Sequence, residues 1–152
     1  MVERQRTLWS GWADLAAEPW RATLALLALC AVVYLPGVVR LPAVDRTEII
    51  WAETTRDMVA RGDWTDPRYG DAVHQYRPIG TFWAQGVSRW IAGDAHDRDI
   101  VVYRIPSFLA VTLAVLALFW LGRGLVSPET ALVASVLFAV APLTVLVSQL
   151  AI

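Results

Sequence analysis

The run ATLALLALCAVVYLPGVV, Ala22 to Val39, carries no charged residue and is bracketed by Arg21 and Arg40. At the helical rise it is roughly 27 Å long, close to the hydrocarbon thickness of a bilayer. That length and composition predict a transmembrane helix. Pro36 and Gly37 fall near its end, where a kink or an exit costs least. Further along, IPSFLAVTLAVLALFWLG, Ile105 to Gly122, is again flanked by arginines, Arg104 and Arg123, and predicts a second span. A third is expected over 131–152, reached through a short polar turn at 123–130 in which Pro128 suits a helix start. The expected fold class is an all-α membrane protein with three transmembrane helices, at 22–39, 105–122 and 131–152. A long loop, 40–104, joins the first two.

Composition agrees. The chain is 57% hydrophobic with a net charge of −1, which excludes a nucleic-acid binder's basic balance and an acidic disordered tail. All basic residues are arginine, a bias attributed to genome composition because no charge pattern here needs the guanidinium fork at every position. Cys30 is the single cysteine and reads as a small packed thiol inside the first span.

Upstream, residues 1–21 place Leu8, Trp12 and Leu15 at helical spacing with Trp9 beside them, which predicts a helix lying at the membrane surface. A cleaved signal peptide does not fit, because the apolar run has no small-residue cleavage pattern after it and further spans follow. Arg4, Arg6, Arg21 and Arg123 lie nearest the spans on one face, which the positive-inside rule assigns to the cytoplasm. The expected location is a multi-pass protein of the plasma (inner) membrane, with a cytoplasmic N-terminus and the 40–104 loop periplasmic or extracellular.

Two helices are expected inside the loop. Glu48 to Ala60 follows Thr47, a fair N-cap, sets Trp51, Thr55, Met58 and Val59 on one side, and ends at Gly62. From Pro78, the residues Ile79, Phe82, Trp83, Gly86, Val87, Trp90 and Ile91 recur at helical spacing, opposite Thr81, Gln85, Ser88 and Arg89. The tryptophans predict a helix lying flat on the membrane, with packing on other protein as the alternative. Between these helices, GDWTDPRYGDAVHQYRP is too dense in turn formers to be regular for long, as a site-lining segment would be.

The loop gathers carboxylates at Asp45, Glu48, Glu53, Asp57, Asp63, Asp66 and Asp71, arginines at Arg46, Arg68 and Arg77, and a histidine at His74. Taken as a bare list, such charges read as a solvated face. Their order reads differently. Glu48, Trp51, Ala52 and Glu53, then Gly62, Asp63 and Trp64, then Arg77 and Pro78, Trp83, and finally Arg104, Pro106 and Ser107 form a series. This series resembles the first extracytoplasmic loop of the polyprenyl-phosphate-sugar glycosyltransferases of GT-C type. That superfamily includes the lipid A aminoarabinose transferases and, more distantly, the protein O-mannosyltransferases. The resemblance covers about Leu41 to the end.

It implies an inverting transfer of a sugar from a polyprenyl-phosphate donor to a lipid or protein acceptor. Asp45 and Glu48 become the candidate catalytic carboxylates, because a carboxylate at the membrane surface can take the acceptor's proton. Arg77 stands where relatives commonly carry lysine and is the candidate for holding the donor phosphate. Tyr76, His74 and Trp51 complete the expected substrate-binding set. Two departures bear on the assignment. The family's principal aspartate corresponds to Thr47, which cannot act as a base, and Tyr76 stands where the aminoarabinose transferases have an acidic residue. The expected sugar or acceptor therefore differs from theirs. Family members also continue through further spans, so the chain is expected to be an N-terminal piece.

No cofactor is expected. No histidine or cysteine partner stands at a metal-ligand spacing from His74, so no protein-built metal site is predicted, while dependence on a divalent metal is left open. His96 reads as a solvated loop residue, in preference to a hard-cation site of Asp94, Asp97 and Asp99. The expected partners are the donor, the acceptor and membrane lipids, with no nucleic acid. The rival reading is a small non-catalytic membrane protein, or fragment, that binds lipid or a partner protein. Convergence of Asp45, Glu48 and Arg77 on one cavity would separate the two.

Overall fold

The computed structural model describes residues 11–43, 46–70, 72–73, 78–96 and 98–151, with backbone alone at Ala72, Val73 and Asp94. The expectations that fall on Trp9, Asp45, Asp71, His74, Tyr76, Arg77 and Asp97 lie outside the described residues. A short helical stretch, 11–17, leads into α1, Pro19–Arg40. There follow α2, Arg46–Arg61; a two-residue antiparallel pair, β1 Arg68–Tyr69 and β2 Ala72–Val73; and α3, Ile79–Ala92. A 3₁₀ turn at Asp94–His96 leads to α4, Ile100–Gly122, then α5, Pro128–Val140, and α6, Pro142–Gln149.

Helices α1 and α4 are each long and apolar enough to cross a membrane. On α1 the residues Ala22, Leu26, Cys30, Tyr34 and Val38, each four apart, form the buried row. The first four of them meet Val115 and Phe119 of α4 and Ala131, Leu132 and Ala139 of α5 in one core. Leu24, Val32, Val39, Leu113 and Leu121 stay exposed on the outer surface, as hydrocarbon-facing side chains do.

The region expected as a third span, 131–152, is built from two helices, α5 and α6, bent by 59° at Ala141, the geometry of one broken span or of a re-entrant loop. Pro142 causes the break. It has no N–H for the carbonyl four residues back, so Ala141 turns extended and its N–H bonds Phe138 O instead. The carbonyl of Ala139, at the same break, accepts a hydrogen bond from the buried Tyr34 hydroxyl at 2.8 Å. The break is thus satisfied from α1.

Other boundaries shift as well. The second span begins five residues earlier than expected, at Ile100, with Asp99 capping it through a bond to the Val101 N–H. Helix α5 starts at Pro128 behind Ser127, whose hydroxyl accepts from the Thr130 N–H. Thr47, expected as an N-cap, falls inside the first turn of α2.

Helices α2 and α3 pack on each other, and α3 packs on α4. Gln85 and Ser88, on the polar side of the α3 pattern, face the protein. Gln85 is buried and accepts a bond from the Thr55 hydroxyl of α2 at 2.7 Å. The Ser88 hydroxyl donates to Val102 O on α4 at 2.7 Å, a carbonyl that Pro106, four residues on, cannot serve. Phe82 and Gly86 are buried beside them, while Trp83, Val87, Trp90 and Ile91 face out.

The Gly62, Asp63, Trp64 turn closes this layer. Gly62 ends α2 with φ 69°, and hydrogen bonds from Thr65 hold the exposed Asp63 carboxyl below its ordinary range. Trp64 lies against Gly86, and its carbonyl accepts from Trp83 Nε1 at 2.7 Å. A Cβ on Gly86 would stand 2.6 Å from Trp64 Cζ3. Gly86→Ala is therefore expected to destabilise the fold by about 1–3 kcal/mol by overpacking. Gly80→Ala, also within α3, meets nothing within 4 Å and serves as the control, expected to leave stability unchanged or to raise it by up to about 1 kcal/mol. Thermal unfolding of both variants in detergent, followed by tryptophan fluorescence, checks the difference.

Candidate functional site

Glu48 sits in the first turn of α2 and Arg104 in the second turn of α4, yet both are almost fully buried. They meet side-on: Arg104 Nε donates to Glu48 Oε1 at 2.7 Å and Nη2 to Oε2 at 3.0 Å. The remaining N–H groups of the guanidinium go to the end of α1 and the chain beyond it. Nη1 donates to Val38 O at 3.2 Å and Leu41 O at 2.7 Å, and Nη2 to Pro42 O at 3.1 Å. All five donors of the fork are used. Carbonyls left open past a helix C-terminus favour a cation, and here one arginine caps α1 while it pairs with α2. Glu48 Oε1 also accepts from the backbone N–H of Ala151 at 2.9 Å. One ion pair thus ties together α1, α2, α4 and the segment after α6.

Of the carboxylates expected to be catalytic, Glu48 is placed inside the protein, with both oxygens bonded. Trp51, expected to touch the donor, is half-buried on α2. Asp45, His74, Tyr76 and Arg77 lie outside the described residues. His96 is exposed, in agreement with its solvated reading.

A cavity of ≈400 Å³ opens beside the Glu48–Arg104 pair, between the adjoining face of α2 and the start of α4. Ile49, Ala52 and Tyr103 form an apolar floor, and Glu53, Arg56 and Arg98 supply the polar rim. Glu53 and Arg56 approach to 3.5 Å and are part-exposed. Ala43, two residues before Asp45, also lines the cavity. Ile49, Ala52, Glu53 and Arg56 follow the helical i, i+3, i+4, i+7 pattern, so one face of α2 supplies this wall. Glu53 belongs to the ordered series in the sequence, but neither it nor Arg56 nor Arg98 was among the expected site residues. The helical spacing of Ile49 to Arg56 was the signal that groups the first two.

Comparison with known proteins bears on what such a site serves. The chain is 32% identical over 120 residues, 78% of its length, to a protein of Edwardsiella ictaluri named undecaprenyl phosphate-alpha-4-amino-4-deoxy-L-arabinose arabinosyl transferase. Proteins of the same name from Erwinia tasmaniensis and Yersinia pestis are 32% identical over 92 residues and 34% identical over 98. The chain is a homologue of the aminoarabinose transferases. It spans about a fifth of the length of these transferases, 20% of the Edwardsiella protein, 16% of the Erwinia protein and 17% of the Yersinia protein. No family model matches the chain, and no solved structure does. Together with the apolar helices, the relationship to the transferases makes the chain a membrane protein.

Proposed function

We propose that the chain is the N-terminal, loop-bearing portion of a membrane glycosyltransferase that moves a sugar, with inversion, from a polyprenyl-phosphate donor to a lipid or protein acceptor. The observation that carries this reading is the identity of 32–34% with transferases whose names specify an undecaprenyl-phosphate-linked sugar. In this reading Asp45 takes the proton of the acceptor hydroxyl as its oxygen attacks the anomeric carbon, and the polyprenyl phosphate leaves with the bonding pair. Arg77 pairs with that phosphate and stabilises the charge building on it. Tyr76, His74 and Trp51 contact the donor. Glu48 is a positioning residue: bonded to Arg104 and Ala151, it fixes where α2 starts and so where Asp45 stands.

The loop faces the outer side of the inner membrane and the N-terminus the cytoplasm. The exposed Trp83, Val87, Trp90 and Ile91 support contact of α3 with lipid. An apolar groove of ≈680 Å³ between α3 and α4 supports the same contact.

The test is transfer by the intact gene product in membranes supplied with undecaprenyl-phosphate-linked sugars labelled in the ring. Label is expected to pass to a lipid or protein fraction with an inverted anomeric bond. Donors that all remain intact, while the protein is folded and inserted, would leave the lipid- or partner-binding reading in its place.

A further inference from the structure

The cavity beside α2 is at the small end of the ~300–1,000 Å³ typical of ligand sites, room for one sugar ring rather than a lipid tail. Its rim carries two guanidinium groups and one carboxylate among the described residues, a positive excess. Glu53 and Arg56 stand 3.5 Å apart, a loose pair with the carboxylate side chain 41% exposed, so Glu53 keeps acceptor capacity for ring hydroxyls. Arg98, exposed on the other wall, takes part in none of the ion pairs found among the described residues. An exposed fork of this kind matches a carboxylate through two hydrogen bonds and repels an ammonium group.

We infer that this cavity takes the sugar of a glycosyl phosphate and selects a ring with an anionic substituent over one with an amino group, with Arg98 as the specificity-determining residue. The ligand class rests on the transferase reading above. The charge selectivity rests on the rim itself, and it separates this chain from the amino sugar in its relatives' names. Glu53 accepts from hydroxyls of the ring, the apolar floor of Ile49, Ala52 and Tyr103 meets its C–H face, and Arg98 holds the anionic substituent.

Glucuronic acid 1-phosphate, glucose 1-phosphate and 6-amino-6-deoxyglucose 1-phosphate share a six-membered ring and a phosphate and differ only at C6, which is a carboxylate, a hydroxymethyl and an ammoniomethyl group respectively. Calorimetric titration of each into the detergent-purified intact gene product is expected to rank them in that order, with at least about tenfold between first and last, a floor for the two unit charges that separate them at contact distance. Arg98→Ala is expected to flatten the ranking and Arg98→Glu to reverse it, with thermal unfolding of both variants unchanged because the side chain is exposed. Tightest binding of the amino sugar, equal binding of all three, binding of none, or an unchanged ranking in Arg98→Glu would each overturn the inference. Ranked binding without transfer from undecaprenyl-phosphate donors would remove the transferase reading and leave the selectivity standing. Transfer with unranked binding would do the reverse.

Discussion

Arg104→Ala is expected to destabilise the protein by about 3–5 kcal/mol, since it removes one partner of a buried ion pair and leaves the other charge uncompensated. The loss goes beyond the pair. Without the guanidinium, the Glu48 carboxylate keeps, among the described residues, the Ala151 N–H alone, and the carbonyls of Val38, Leu41 and Pro42 lose the donor that caps α1. Glu48→Ala leaves the guanidinium with its three carbonyl acceptors still in place, so its cost is expected to be smaller. The order of the two single variants follows from this asymmetry, and so does the double. Glu48→Met with Arg104→Met removes both charges but leaves the α1 carbonyls open, and is expected to recover only part of the stability. Unfolding in detergent, read by tryptophan fluorescence for the two singles and the double, checks all three statements. Equal costs for Arg104→Ala and Glu48→Ala would mean that the capping of α1 contributes nothing.

The same pair shows what the sequence could and could not convey. The first two spans were legible because length and apolarity act locally: a charge-free run of 18 or more residues is informative whatever surrounds it. Both Glu48 and Arg104 were also picked out, as members of an ordered series. Their partnership was not, because Arg104 at the head of an apolar run has the look of a flank snorkelling toward headgroups, and nothing in a one-dimensional pattern points to a carboxylate 56 residues away. Proline carried more than was taken from it. Pro142 sits in the middle of the expected third span and breaks it, and Pro106 leaves Val102 O for Ser88 to satisfy. The periodicity of α3 separates polar from apolar residues correctly but does not say which side meets the rest of the protein: Gln85 and Ser88 pack inward, and Trp83 and Trp90 stay outside.

Asp45→Asn in the intact gene product is expected to lower kcat by about 10²–10⁴-fold while leaving donor affinity nearly unchanged, because the amide cannot take the acceptor's proton but keeps the size of the side chain. The pH dependence carries the sharper statement. A base must be ionised, so the wild-type rate is expected to rise with pH and then level off once the carboxylate is fully ionised. In Asp45→Asn that rise is expected to vanish. Glu48→Gln is the necessary contrast. If Glu48 positions rather than reacts, this variant loses stability and some rate, yet retains the wild-type pH profile, since the group that titrates is untouched. Arg77→Ala is expected to raise KM for the donor as well as to lower kcat, with Arg77→Lys recovering a large part of both, since a single cation still faces the phosphate. Steady-state transfer kinetics across pH for these four variants distinguish the roles. A flat profile in Glu48→Gln together with an unaltered one in Asp45→Asn would exchange the parts assigned to the two carboxylates, and would require the Glu48–Arg104 pair to open during turnover.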